Sequence, residues 1–135
     1  MITRIAHIGI AVRDLAGANE IFETILGFPR PQPERVEEQK VDVASFHVGG
    51  TQIELTCGTS ADSPITRFIE KRGEGIHHIA FETDDIEAEL ERLSRAGVTL
   101  IDTVPRRGAD GMRIAFLHPK SANGVLVELC EKPKT

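Results

Sequence analysis

The sequence is poor in the features that mark several large classes of protein. It holds two cysteines, Cys57 and Cys130. They form neither a CxxC pair nor a zinc-finger spacing, so no structural zinc motif is present, and they read as buried thiols of a reducing compartment. No apolar run approaches the ~20 residues needed to span a bilayer. Met1 leads straight into patterned sequence, so no secretory leader is expected and the cytoplasm is the expected location. Positive charge is in deficit, with 16 Lys and Arg against 21 Asp and Glu and a net charge of -5. That argues against nonspecific nucleic-acid binding. It leaves room for an anionic small molecule held by a local cluster of Arg and Lys. What remains is a chain of 135 residues with the hydrophobic and charged fractions of a soluble globular protein. It is expected to be one domain, or two small halves sharing a core.

What the chain does have is an internal repeat. His7-Ile-Gly-Ile-Ala-Val-Arg-Asp-Leu15 returns as His78-Ile-Ala-Phe-Glu-Thr-Asp-Asp-Ile86. His7 aligns with His78, Ile8 with Ile79, Asp14 with Asp85 and Leu15 with Ile86. The ends of the halves also match, Gly50-Thr-Gln-Ile-Glu-Leu55 against Gly124-Val-Leu-Val-Glu-Leu129. Each half therefore opens with a His and closes with a Glu.

Local patterning assigns the elements. Residues 5–12 alternate as a strand. Asp14 is an N-cap for a helix carrying Leu15, Ala18, Phe22, Ile25 and Leu26, and Gly27 stops it. Residues 29–39 read as a Pro- and Glu-rich loop, with room for a short strand at 29–36. Residues 40–48 and 51–57 form a hairpin about Gly49-Gly50. Ser63-Pro64 starts a linking helix that ends near Gly73. In the second half residues 76–83 are a strand. Asp84 or Asp85 caps a helix through Ile86, Leu90, Leu93 and Ala96 that stops at Gly97. Residues 98–101 are a strand, 105–111 a turn-rich loop, 112–117 and 125–130 strands, and 131–135 a frayed tail.

The repeat-equivalent residues are His7, Glu54, His78 and Glu128. Two imidazoles and two carboxylates suit a divalent transition metal with positions left open for water or substrate. A lone His or Glu on a strand is more often a packed or solvated residue. Here the same two types recur at matching places in both halves, between apolar neighbours. His77 competes with His78, but adjacent strand residues face opposite ways, and the repeat selects His78. His47 and His118 have no repeat partner and are expected to be structural.

These motifs resemble the vicinal oxygen chelate (glyoxalase) superfamily. Ser63-Pro-Ile65, Gly73-Glu-Gly-Ile-His-His-Ile-Ala-Phe81, Phe116-Leu-His-Pro-Lys-Ser121, Gly124-Val-Leu-Val-Glu-Leu129 and Glu38-Gln-Lys-Val41 are similar to its methylmalonyl-CoA epimerase family, from Ile5 to Glu131. The resemblance implies an α+β fold of two paired βαβββ modules forming a curved mixed sheet around a metal site. Module one would span 4–57, a linker helix 63–73 and module two 75–131, within one domain of residues 1–135. It implies metal-dependent epimerisation of methylmalonyl-CoA at C2 by proton removal alpha to the thioester and return on the opposite face. The metal ligands would be His7, Glu54, His78 and Glu128, the ion cobalt, zinc, manganese or nickel, and the active form a homodimer with an acyl-CoA substrate.

One position departs from the family pattern. Some members place a catalytic Glu where this chain has Val43, with Asp42 beside it facing the other way. Glu128 and then Glu54 are accordingly the expected acid/base groups, with Asp42 a third if the register shifts by one. Lys71, Arg72, Arg106, Arg107 and Lys120 are available for the CoA phosphates. Two other readings are open: another metalloenzyme of the same fold, such as a glyoxalase or extradiol-type dioxygenase, and a non-catalytic small-molecule-binding protein.

Overall fold

The structure, a computed structural model, describes residues 1–134. Thr135, from the expected frayed tail, lies outside the described residues. The chain runs β1 (Ile2–Ala11), α1 (Leu15–Leu26), β2 (Glu34–Val36), β3 (Val41–Val48), β4 (Thr51–Gly58), α2 (Pro64–Arg72), β5 (Gly75–Thr83), α3 (Ile86–Arg95), β6 (Arg106–Arg107), β7 (Arg113–Leu117) and β8 (Leu126–Glu131). This is βαβββ, a helix, and βαβββ again, an α+β order that matches the expected pair of modules. Among the described residues no helix is long and apolar enough to cross a membrane. Packing divides the chain into two compact units. One is Met1–His7 with the chain from His78 on; the other is Ile8–His77.

In the unit Ile8–His77 the strand order is β2-β3-β4-β1. Asp14 caps α1 as its sequence suggests, Oδ1 accepting from the Gly17 N–H at 3.2 Å. Gly27 closes the helix with φ 74°, a left-handed conformation that glycine adopts without steric penalty. The apolar face of α1 (Leu15, Ala18, Phe22 and Leu26) packs on buried Val12, Ala44, Phe46 and Leu55. The hairpin pairs Val48 with Thr51. Ser63 caps α2, its hydroxyl accepting from the Ile65 N–H at 3.3 Å, and Pro64 fills the first turn, where no N–H is needed. The short strand β2 lies inside the expected loop and pairs with the start of β3. Cys57 in this unit is only half-buried, and that burial pushes its thiol pKa up.

In the other unit the order is β1-β5-β8-β7-β6. β5 runs parallel to β8, and β8–β7 and β7–β6 are antiparallel. Asp85, not Asp84, caps α3, accepting from the Ala88 N–H at 3.1 Å. Asp84 is instead paired with the N-terminal ammonium at 2.8 Å. Ile86 and Leu90 of α3 pack on Ala115, Leu117 and Leu129 of the sheet. Burying side chains of this size contributes roughly 1.5–3 kcal/mol each. On the other sheet face the register sets Ala80 opposite Glu128, Phe116 opposite Glu128 and Arg106 opposite Ile114.

Two expectations fail here for one reason. Residues 98–101 are not a strand; they make a single bridge, Leu100 to Leu117. The N–H groups of Ile101 and Asp102 both converge on the Phe116 carbonyl, which turns the chain off the edge of β7. That edge is taken by Arg106 and Arg107, expected in a loop, which pair with Ile114 and Arg113. Glu131, expected in the frayed tail, is the last residue of β8 and is buried.

Leu55→Ala is expected to destabilise the protein by ~2–5 kcal/mol in urea unfolding, because Leu55 is fully buried and its loss leaves a cavity. Ile25→Ala, on the exposed side of α1, is expected to change stability by less than about 0.5 kcal/mol.

Candidate metal centre

Three of the four expected ligand residues meet within one unit. His7 ends the first segment of that unit, His78 lies on β5, and Glu128 lies on the parallel neighbour β8. His7 Nε2 stands 3.0 Å from His78 Nε2. Glu128 Oε2 is 3.5 Å from His7 Nε2, and its Oε1 is 3.4 Å from His78 Nε2. The two rings cross edge to face at 89°, with centroids 5.1 Å apart. The Glu128 side chain is 6% exposed and that of His78 the same, so bulk water does not solvate this charge.

The electrostatics follow from that burial. Desolvation works to raise the Glu128 carboxyl pKa. The hydrogen bond from His7 and the charges of His78, His7 and Arg106 outweigh it and hold the group below the usual carboxylate range. Two imidazole nitrogens aimed at one another at 3.0 Å cannot both present lone pairs without repulsion. A proton or a metal cation between them removes that conflict. Imidazole nitrogens bound at about 2.1 Å to a shared tetrahedral ion stand roughly 3.4 Å apart, close to the separation found. The donor set of two borderline nitrogens and one hard oxygen therefore fits a divalent transition metal.

The other expected residues fall as follows. Glu54 lies on β4 in the Ile8–His77 unit and is buried. Its cross-strand partner is Ser45, and Val43 lies on the same strand face. Asp42 points to the opposite face, where Arg35 binds its carboxylate at 2.6 and 3.0 Å. That pairing lowers the Asp42 carboxyl pKa. His77 turns away from His78 and sets its ring edge on Phe68 at 4.8 Å. His118 has a local structural task, Nδ1 accepting from the Lys120 N–H at 3.0 Å. His47 is exposed. Of the expected phosphate-binding cations, Lys71 and Arg72 sit exposed at the end of α2, and Arg72 lies over the Phe68 ring at 5.9 Å. Arg107 and Lys120 are exposed. Arg106 alone of the five is among the charges that act on Glu128.

Sequence reasoning missed Phe116 and Asp102. The Phe116 ring meets His78 edge to face, centroids 5.9 Å apart. Asp102 Oδ2 accepts from the Phe116 N–H at 2.8 Å. Phe116 carries a signal in its motif, Phe116-Leu-His-Pro-Lys-Ser121. Asp102 carries none, because its role comes from where residues 98–102 leave the sheet edge.

The model of the glyoxalase/bleomycin resistance protein/dioxygenase superfamily matches residues 6–116, and the chain belongs to that superfamily. An ethylmalonyl-CoA/methylmalonyl-CoA epimerase of Cereibacter sphaeroides is 40% identical, over 96% of this chain and 98% of its own. The uncharacterized protein YqjC of Bacillus subtilis is 49% identical, over 95% of this chain and 91% of its own. A solved methylmalonyl-CoA epimerase in complex with methylmalonyl-CoA and NH4+ superposes with a TM-score of 0.93 at 40% identity, covering 98% of this chain and 96% of that one.

His78→Ala is expected to weaken cobalt binding by more than about 100-fold in competition with a chromogenic chelator, since loss of a ligand exceeds the effect of losing an outer-shell partner. His118→Ala is expected to bind cobalt as the unaltered protein does.

Proposed function

We propose that this protein is a metal-dependent epimerase that interconverts (R)- and (S)-methylmalonyl-CoA. The observation that carries the reading is the buried His7–His78–Glu128 group in a chain similar end to end to methylmalonyl-CoA epimerases. Glu54, the repeat partner of Glu128, is the fourth ligand. A divalent ion held by His7, Glu54, His78 and Glu128 (cobalt, or zinc, manganese or nickel) supplies Lewis acidity toward the oxygens that gain charge as C2 is deprotonated.

The chain's own groups handle the proton. Epimerisation requires removal of the C2 proton from one face and return to the other. Glu128 and Glu54 are the acid/base candidates, Glu128 first. The hydrogen bond from His7 and the neighbouring charges favour the ionised form of Glu128, the form that accepts a proton. A carboxylate is a weak base even at its ordinary pKa, and the reaction depends on the substrate carbon being made more acidic within the site. Asp42, held by Arg35 on the other strand face, has no part in this step. Of the five cations expected to bind the substrate, Lys71, Arg72, Arg107 and Lys120 are the candidates for the CoA phosphates, while Arg106 stands by the metal-site group. The active form is a homodimer working in the cytoplasm.

The test is deuterium incorporation at C2 of methylmalonyl-CoA in D2O, followed by mass spectrometry on metal-loaded and metal-stripped protein. Rapid exchange that needs the metal is expected. Folded, fully metallated protein that gives no exchange would overturn the reading. Glu128→Ala is expected to abolish turnover and weaken metal binding, while His118→Ala does neither. Near-normal epimerisation by Glu128→Ala would remove that carboxylate from the mechanism.

A further inference from the structure

The metal centre has a cation of its own unit standing beside it. Register places Arg106 opposite Ile114, on the sheet face that also carries Phe116 and Glu128. The guanidinium carbon lies 5.4 Å from the Phe116 ring centroid. That ring is the one that packs on His78, centroids 5.9 Å apart. Arg106 Nε is 3.4 Å from Asp102 Oδ2. The same Asp102 oxygen accepts from the Phe116 N–H at 2.8 Å. One carboxylate oxygen thus ties the cation and the aromatic ring under it to a single strand edge.

The restraint is specific in what it leaves over. A guanidinium carries five N–H donors in a fixed planar fork. The Phe116 ring lies 5.4 Å from its carbon, and Asp102 stands on its Nε side at 3.4 Å. The Arg106 side chain is still 46% exposed, so part of the fork stays within reach of a ligand. A surface arginine with no task would lose conformational entropy in such an arrangement for little return. A part-exposed guanidinium set against this ring, in the unit that holds the buried His7–His78–Glu128 group, can donate a charge-assisted hydrogen bond to a carboxylate oxygen.

We propose that Arg106 binds the free carboxylate of the acyl-CoA substrate and is the residue that selects malonyl-type over simple acyl thioesters. This rests on the epimerase reading above. That substrate has two anionic parts, the carboxylate at the reacting end and the phosphates of the CoA tail. The two restraints on Arg106 lead to His78 and Phe116, at the reacting end. A phosphate-binding arginine has no need of either.

Binding to malonyl-CoA and to propionyl-CoA, measured by calorimetry on the metal-loaded protein, separates the possibilities. The first ligand carries the carboxylate and the second lacks it; both carry the same CoA. Arg106→Met is expected to weaken malonyl-CoA binding by about 10- to 100-fold and propionyl-CoA binding by less than about threefold. Arg106→Lys keeps the charge but not the fork and is expected to fall between. In turnover of methylmalonyl-CoA the loss is expected in KM with part in kcat, measured at saturating cobalt and below the unfolding temperature of each variant. Equal weakening of both ligands would reassign Arg106 to the CoA phosphates and overturn the proposal. Unaltered malonyl-CoA binding by Arg106→Met would overturn it as well. Metal-loaded protein that, before any substitution, binds neither thioester would sink the epimerase reading itself, a result distinct from either.

Discussion

A carboxylate taken out of water has to be compensated where it is buried. For Glu128 that compensation is the pair of imidazoles of His7 and His78. The desolvation penalty of one such ion is several kcal/mol even after relaxation, comparable with the whole stability of a small domain. Nothing about the position is tolerable unless the strands deliver both histidines to it. Parallel pairing of β5 with β8 sets His78 opposite Leu126 and Ala80 opposite Glu128. The carboxylate and His78 are thereby diagonal neighbours on one face. The small Ala80, fully buried, sets little side-chain bulk opposite Glu128.

The rest of that unit serves this arrangement. The opposite sheet face is closed by Ile86 and Leu90 of α3 on Ala115, Leu117 and Leu129, so β7 and β8 are fixed from behind. Phe116, opposite Glu128 in the register, shields one side of His78 with an apolar ring. Donors carried by strands rather than loops are held in place by the sheet. The close approach of the two imidazole nitrogens is what such a site looks like when three electron-rich groups are held convergent.

The Ile8–His77 unit carries the repeat counterpart of this chemistry. Glu54 occupies the place on β4 that Glu128 occupies on β8, and it too is buried. The carboxylates nearby are used differently. Asp42 lies on the other strand face in a forked ion pair with Arg35. Val43, on the face of Glu54, has no ionisable group to offer. A strand's alternation thus decides, within two adjacent residues, which is open to site chemistry and which is committed to a surface pair.

Much of this was legible in the sequence. Helix caps depend on a few neighbouring residues, and Asp14, Ser63 and Gly27 act as their local context indicates. Strand alternation and the His…Glu repeat named the candidate ligands, because identical modules reuse identical positions. The edges were not legible. Residues 98–101 have strand-like composition, yet two N–H groups converging on the Phe116 carbonyl turn them off the sheet, and Arg106-Arg107 pair there instead. Edge pairing is set by which segment reaches β7, and no local periodicity encodes that. So the sequence by itself determined the modules, their caps and the residue types able to hold a metal, all of which are short-range properties. Only the tertiary structure decided that Asp102, Phe116 and Arg106 stand as one group beside His78, because that depends on the register of strands distant along the chain.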